Sequence, residues 1–110
     1  MRKDFSQQLG QRIVIQGKSK TQFLNVADIT HIECEDAIAT AHTNNTSVSA
    51  AKQLKEFEKD LAELGFIRIN RSTLINEAHV RCYTGGPKKT IEMDNGKTFN
   101  VSRRKAHLLK

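Results

Sequence analysis

Cysteine, proline and tryptophan are scarce in this 110-residue sequence, which has two cysteines, one proline and no tryptophan. Cys34 and Cys82 lie far apart, in neither a Cys-x-x-Cys pair nor a zinc-ligand spacing. This excludes a disulfide-rich scaffold and a cysteine-based metal centre. We interpret both as reduced, half-buried strand cysteines, which is typical of a cytoplasmic protein.

Long apolar runs are also missing. No stretch approaches the ~18 residues of a membrane-spanning helix, and the N-terminus leads into no signal-peptide core. With 37% hydrophobic and 27% charged residues, the composition is that of a globular protein and not of a disordered chain. We expect a soluble protein that does not bind membranes, with an N-terminal extension at residues 1–11 and a single domain at residues 12–110.

Negative charge is scarce in the last part of the chain. The net charge is +6, yet residues 1–80 hold ten basic and ten acidic side chains. The whole surplus lies in residues 81–110, where eight basic residues are balanced only by Glu92 and Asp94. Such a basic segment indicates a surface that contacts a polyanion, with nucleic acid favoured over acidic lipid.

Most of the chain alternates short β-branched or apolar segments with turn signals, which predicts a mostly β fold. About ten strands are expected, at residues 12–16, 21–26, 29–34, 37–43, 46–48, 66–69, 73–75 and 78–84 and in a hairpin over residues 89–101. One supporting helix is expected near residues 50–64, capped by Ser49, because Leu54, Phe57, Leu61 and Leu64 form an apolar stripe that ends at Gly65. A short C-terminal helical turn is expected after Arg103.

The register of the last hairpin follows from which side chains it must bury. A two-residue Asn-Gly loop would place apolar and polar residues opposite one another. A three-residue loop, Asp94 to Gly96, places Ile91 opposite Phe99 on one buried face. We therefore expect the three-residue loop, with Gly96 in the left-handed conformation.

No active site is legible in the sequence. The four histidines show no ligand spacing, and Glu33, Glu35 and Asp36 are interpreted as a solvated loop, with no histidine or second carboxylate cluster close to them. The Gly-Gly-Pro-Lys-Lys segment at residues 85–89 lacks the spacing of a phosphate-binding P-loop. We expect no enzymatic activity, no cofactor and no bound metal.

Three polar or basic loops have the residue types that contact nucleic acid. They are Asn70-Arg71-Ser72 between two apolar strands, Lys88-Lys89 beside a Gly-Pro turn, and Ser102-Arg103-Arg104-Lys105 after a strand. Lysine and arginine on loops suit phosphates, and arginine also reads guanine edges in the major groove. Each loop alone has an ordinary explanation as a solvated surface.

Taken together, these segments resemble the LytTR family, the DNA-binding output domains of LytR/AgrA-type bacterial response regulators. The resemblance is carried by residues 65–76, GFIRINRSTLIN, by residues 99–104, FNVSRR, and by residues 26–34, VADITHIEC, and it extends from about residue 12 to residue 108. It implies an elongated arrangement of short antiparallel sheets. It also implies that loops, and not a helix, enter successive major grooves of duplex DNA to regulate transcription.

The resemblance also assigns roles to residues. Arg71 and Arg103 would contact bases, and Asp36 and Ala37 would form a third base-contacting loop, although this loop is shorter and more acidic than the family's His-bearing loop. The residues that would contact the DNA backbone are Asn70, Ser72, Lys88, Lys89, Ser102, Arg104 and Lys105. The family further suggests homodimers on direct-repeat sites.

Two alternatives remain open. The first is a small β-fold RNA or single-strand binder, which stacks bases on exposed aromatic side chains. The chain has only five phenylalanines and one tyrosine, most of them at expected core positions. The second is a basic protein-interaction module that docks on an acidic partner or membrane without sequence preference.

Overall fold

Short antiparallel strands make up most of the protein, as a computed structural model shows for residues 4–17 and 19–105. These ranges contain ten strands and one α-helix, α1, at Leu54–Leu61. The strands are β1 (Arg12–Gln16), β2 (Thr21–Asn25), β3 (Ile29–Glu35), β4 (Ile38–Thr43), β5 (Ser47–Ala50), β6 (Phe66–Asn70), β7 (Thr73–Asn76), β8 (Val80–Thr84), β9 (Thr90–Met93) and β10 (Thr98–Asn100). The predicted mostly β class is confirmed, and extents of 45 × 32 × 24 Å agree with an elongated shape.

The strands form three sheets. The largest has five strands in the order β5-β4-β3-β7-β6, a second has three in the order β10-β9-β8, and β1 pairs only with β2. All the pairings are antiparallel. Within the described part of the chain, no helix is long and apolar enough to span a membrane.

The five-stranded sheet buries side chains on both of its faces. On one face, Leu54, Phe57 and Leu61 of α1 pack in a cluster that includes Leu74 of β7. Ile75, the next residue of β7, belongs to a second cluster with residues of β9. Because successive side chains of a strand point to opposite faces, this one strand anchors both cores.

The helix is shorter than predicted. Ser49 and Ala50 do not start it but end β5, where they pair with Thr40 and Ala39. The helix begins at Leu54, and the Glu56 carboxylate accepts a hydrogen bond of 2.9 Å from the Gln53 backbone N–H just before it. A 3-10 turn at Ala62–Leu64 follows the helix. The predicted apolar stripe is confirmed. Gly65, which was predicted to end the helical segment, follows the 3-10 turn in the left-handed conformation, with φ of +90°.

The last hairpin has the predicted register. Ile91 pairs with Phe99, and the Met93 N–H donates to the Lys97 carbonyl at 2.8 Å across the three-residue loop. Gly96 has φ of +89°. Ile91 is fully buried in the second core. The hairpin face with Ile91 and Phe99, from which the register was predicted, therefore packs on this core.

One other prediction needs correction and one stays open. Cys82 is exposed and not half-buried, because it lies on the edge strand β8, whereas Cys34 is partly buried. Phe23 is an exception to the expectation that most aromatic residues are at core positions: it is 57% exposed on the β1–β2 hairpin, which packs its other face on the core. Residues 103–105 form a turn, and the rest of the expected C-terminal helical turn lies outside the described residues.

The segment before β1 is tied to the domain by a buried amide pair. Gln8 is 2% exposed; its side-chain nitrogen donates to the Leu64 carbonyl at 2.6 Å and to Asn76 Oδ1 at 2.8 Å. Asn76 is fully buried and in turn donates to Gln8 Oε1 and, at 2.9 Å, to the Ile29 carbonyl. These contacts connect the N-terminal segment, β3 and β7 through side-chain amides. Whether residues 1–11 are an extension of the domain stays a prediction.

Candidate nucleic-acid interface

The predicted DNA-contacting segments meet at one edge of the molecule. The Asn70-Arg71-Ser72 loop connects β6 to β7, and its Ser72 carbonyl accepts from the Cys34 N–H at 2.9 Å. This bond places the loop beside the end of β3, where the chain turns through Asp36 and Ala37 into β4. Two of the segments that the sequence separates by more than thirty residues are therefore neighbours.

The same loop is bonded to the segment that follows β10. Asn70 Nδ2 donates to the Asn100 carbonyl at 2.7 Å, and the Ser102 N–H donates to the Ile69 carbonyl at 2.9 Å. These two bonds hold the first turn of Ser102–Lys105 next to Arg71.

The Lys88-Lys89 turn lies at this edge as well. It joins β8 to β9, and the Val101 N–H donates to the Lys89 carbonyl at 3.0 Å. Lys88 is exposed, whereas Lys89 is partly buried and its exposed ammonium donates to the Gly86 carbonyl at 2.9 Å. Of the pair, Lys88 is the cation whose side chain has no partner among the described residues.

Arg71 and Arg103 are exposed and unengaged. Neither side chain forms a hydrogen bond or ion pair with another described residue. Long unpaired guanidinium groups on loops are free to reach a ligand, and neither is needed to hold the local fold.

Arg68, three residues before Arg71, supports the loop through its side chain. Its guanidinium donates to the Asn70 carbonyl at 3.3 Å and to the Arg71 carbonyl, and it pairs with Glu58 of α1 at 3.4 Å. One side chain therefore fixes two consecutive backbone carbonyls of the loop that presents Arg71.

Asn70 and Ser72, both predicted to contact the DNA backbone, bond to each other. Asn70 Oδ1 accepts from the Ser72 N–H at 2.9 Å and from the Ser72 hydroxyl at 3.2 Å. With Nδ2 bonded to Asn100, the Asn70 amide shapes the loop and links it to the next segment.

An open cleft of about 550 Å³ lies between these loops. Four basic residues, Arg68, Arg71, Arg104 and Lys105, line it together with Glu58, Asn70 and Ser102. Because Arg68 pairs with Glu58, Arg71, Arg104 and Lys105 are the cations that make the cleft attractive to an anion such as a phosphate.

The turn between β3 and β4 is strained. Asp36 and Ala37 have φ of +49° and +67°, the left-handed region that residues with a Cβ seldom adopt. Both are exposed, as is the following Ile38 at 48%. The two positive φ values make a two-residue hairpin loop that projects beyond Cys34 at the edge of the Arg71 loop.

One group of side chains with closely spaced metal-ligand atoms was missed. His31, Glu33 and His42 lie together on β3 and β4, although the sequence suggested that no histidine is close to Glu33. His31 precedes Glu33 by two residues, so both side chains share a face of the strand, and this spacing was a readable signal. Burial lowers the pKa of both histidines below the usual value, while Glu33 acts in the opposite direction.

Comparison with known proteins places the chain in a family. The sequence model of the LytTr DNA-binding domain matches residues 19–110. The chain is 29% identical over 91 residues to the sensory transduction protein LytR of Staphylococcus saprophyticus, covering 81% of this chain and 36% of that protein. It is 32% identical over 78 residues to the transcriptional regulatory protein LytR of Staphylococcus aureus strain N315, covering 71% and 32%.

The fold has a solved counterpart. It superposes with a TM-score of 0.77 and 21% identity on a LytTr DNA-binding domain of a response regulator from Bacillus cereus, covering 89% of this chain and 92% of that one. The chain spans about a third of the length of the curated relatives it matches. Membership of a DNA-binding domain family supports DNA binding by this chain and points against an enzymatic role for it. This chain belongs to the LytTR DNA-binding domain family.

Proposed function

We propose that this chain binds double-stranded DNA sequence-specifically, with its edge loops entering successive major grooves. The observation that carries this proposal is the convergence at one edge of three segments that bear the exposed cations Arg71, Lys88 and Arg103, whose side chains have no bonding partner among the described residues. The bonds of Asn70 and Arg68 already order the loop backbone. Binding of DNA therefore costs little further conformational entropy in the loop that presents Arg71.

The side chains divide into two roles. Arg71 and Arg103 read guanine O6 and N7 through paired N–H donors. Lys88, Arg104 and Lys105 neutralise phosphates, and Lys89, Ser102 and the Asn70–Ser72 pair lie against the DNA backbone beside them. The Asp36–Ala37 turn lies beside the Arg71 loop, where Asp36 can accept from a cytosine amino group.

The related proteins support a role in regulation. LytR of Staphylococcus aureus is a transcriptional regulatory protein by name, and we extend this role to the present chain. Two copies on direct-repeat sites are part of the proposal, because one edge of this size contacts only a short stretch of duplex. Binding to one and to two half-sites, measured by analytical ultracentrifugation, distinguishes one bound copy from two.

The single-strand alternative gains little from the structure. Among the described residues Phe23 is the one aromatic side chain with more than half of its surface exposed, and Arg12 covers its ring at 5.4 Å from the centroid. Single-strand binders stack successive bases on several aromatics. A duplex that the chain binds is first obtained by in vitro selection. Competition between this selected duplex and its single strand tests the alternative directly, and preference for the single strand would overturn the duplex proposal.

Binding should depend steeply on salt. About six neutralised phosphates give a slope of roughly −5 in log K against log salt concentration, or a loss of about 10³ in affinity between 50 and 200 mM salt. Fluorescence anisotropy with a selected duplex measures this slope. Lys88→Ala should make it shallower by about one while leaving the sequence preference unchanged. A slope near zero, or equal affinity for any polyanion of the same charge density, would favour the protein-interaction alternative.

Replacing Arg68 should weaken the readout by Arg71 without removing a contact to DNA. Arg68→Gln loses the donors to the Asn70 and Arg71 carbonyls, so the loop samples other conformations. We expect a loss of about 5- to 10-fold in affinity, on the scale of one or two hydrogen bonds, confined to duplexes with the base pair that Arg71 reads.

Glu58→Gln is the matched control for this variant. It removes the ion pair with Arg68 but leaves both carbonyl bonds, and a half-exposed ion pair contributes little. We expect its affinity to stay within about twofold of the wild type. An equal loss for every sequence with Arg68→Gln would instead identify Arg68 as a phosphate contact.

A further inference from the structure

The His31, Glu33 and His42 side chains form a compact set of nitrogen and oxygen donors on β3 and β4. Their ligand atoms all lie within 4.8 Å of one another. Glu33 Oε1 is 2.9 Å from His31 Nε2 and 3.3 Å from His42 Nε2. His31 pairs directly with His42 across β3 and β4, so the backbone register fixes the arrangement.

Hydroxyl and carboxylate groups surround the two ring nitrogens of His31. The Thr30 hydroxyl donates to the His42 carbonyl at 3.1 Å, and its oxygen lies 2.9 Å from His31 Nδ1. Nδ1 therefore has a partner on the side away from Glu33, and Nε2 is the nitrogen that faces the Glu33 carboxylate, at 2.9 Å.

Nε2 of an imidazole and a carboxylate oxygen are both ligand atoms that divalent transition-metal ions accept. His31 is fully buried, so its ring is held by packing in the orientation that faces Glu33. A metal cation would bring positive charge to the carboxylate while coordinating both atoms.

The surroundings orient the second histidine too. The Ser47 hydroxyl lies 2.9 Å from His42 Nδ1, so both rings have a hydroxyl partner on the nitrogen that faces away from Glu33. Partners of this kind set the tautomer and the direction of metal-binding histidines. Phe99 packs against the His31 ring with 4.7 Å between the centroids and shields this side from solvent.

We propose that His31 Nε2, His42 Nε2 and Glu33 Oε1 bind a divalent transition-metal ion of the zinc class. Donor separations of 2.9 and 3.3 Å are close to the edge of about 3.3 Å that zinc–ligand bonds of about 2.0 to 2.1 Å give in a tetrahedral site. The two rings are stacked at 4.4 Å with 8° between their planes, so coordination of one ion by both requires the more exposed His42 ring to rotate out of the stack and to give up its bond with the Ser47 hydroxyl.

The fourth position opens to solvent. A cleft of about 410 Å³, lined by both histidines and by Asn44, Asn45, Asn95 and Lys97, admits water there. The Lys97 ammonium opposes a cation, and Glu33 supplies the one ligand charge. We therefore expect micromolar affinity and not the far tighter binding of thiolate sites.

A competition titration with a chromophoric zinc chelator tests the site on the purified chain. The wild type should take up one equivalent of zinc, and His42→Ala and Glu33→Gln should each bind at least tenfold more weakly. His79→Ala is the matched control, because it removes a histidine that also pairs with a carboxylate, Asp94, at 2.8 Å. It should bind zinc like the wild type.

Long-range ¹⁵N–¹H spectra give a second readout that does not depend on variants folding. Zinc should move the Nε2 resonances of His31 and His42 and leave those of His79 in place. No uptake by the wild type at tens of micromolar free zinc, or equal uptake by all variants, would overturn the proposal. Neither measurement uses DNA. A failure of the zinc-binding proposal is therefore distinguishable from a failure of the DNA-binding proposal.

Discussion

Alanine at Arg71 or at Arg103 is expected to reduce affinity for the selected duplex by roughly 5- to 150-fold and to relax the preference at one base pair each. The magnitude follows from a paired arginine–guanine contact, worth about 1 to 3 kcal/mol of discrimination. Neither side chain bonds to another described residue, so their removal leaves the fold intact. Anisotropy titrations against the selected duplex and its single-base variants measure both effects.

Lys55→Ala provides the matched control for these two variants. Lys55 is an exposed cation on α1, outside the set of residues that line the cleft. Its removal lowers the net charge by the same amount and should change neither the affinity by more than about twofold nor the base preference. If Arg71→Ala and Arg103→Ala behave like Lys55→Ala, these arginines are not the reading residues.

The double variant separates two ways in which the arginines could act. If Arg71 and Arg103 contact separate base pairs in successive grooves, their losses should add in free energy to within about 0.5 kcal/mol. The Asn70–Asn100 and Ser102–Ile69 bonds join the two loops, so a cooperative result would show that one loop orders the other. Either result is informative, but only additivity agrees with two independent reading positions.

Local patterns sufficed for the parts of the fold that depend on neighbouring residues. The register of the last hairpin was predictable because Ile91 and Phe99 have to share a buried face and Gly96 permits the loop. The apolar stripe of the helix was predictable because Leu54, Phe57 and Leu61 recur at helical spacing and have to share one buried face. The start of the helix was not, because Ser49 and Ala50 satisfy their hydrogen bonds on β4, a partner that spacing along the chain does not reveal.

The site divides in the same way. Arg71 and Arg103 stand in recognisable segments, but only the folded chain shows that the Asn100 carbonyl and the Cys34 N–H hold the Arg71 loop in place. The roles of Asn70 and Arg68 as supports follow from these long-range bonds. His42 reaches Glu33 through strand pairing, and the sequence offered only the His31–Glu33 spacing as a sign of this group.

Asn76→Ala is expected to lower the free energy of unfolding by about 2 to 4 kcal/mol, a large part of the stability of a small domain. Asn76 is fully buried, and its amide serves the Ile29 carbonyl, the Ala78 N–H and both polar atoms of the Gln8 side chain. Alanine supplies neither donor nor acceptor, so these groups lose partners where water does not reach them. Urea denaturation followed by circular dichroism measures the change.

Two further variants show whether this cost comes from the buried amide network. Gln8→Ala removes one member and should cost less, about 1 to 2 kcal/mol, because Asn76 keeps its bonds to Ile29 and Ala78. The double variant should then be less destabilised than the two single losses combined, since the Gln8–Asn76 bonds are lost only once. Asn44→Ala, at an exposed turn, is the matched control and should stay within about 0.5 kcal/mol of the wild type. A loss below this limit for Asn76→Ala would mean that β3, β7 and the N-terminal segment are held by apolar packing, without help from the amides.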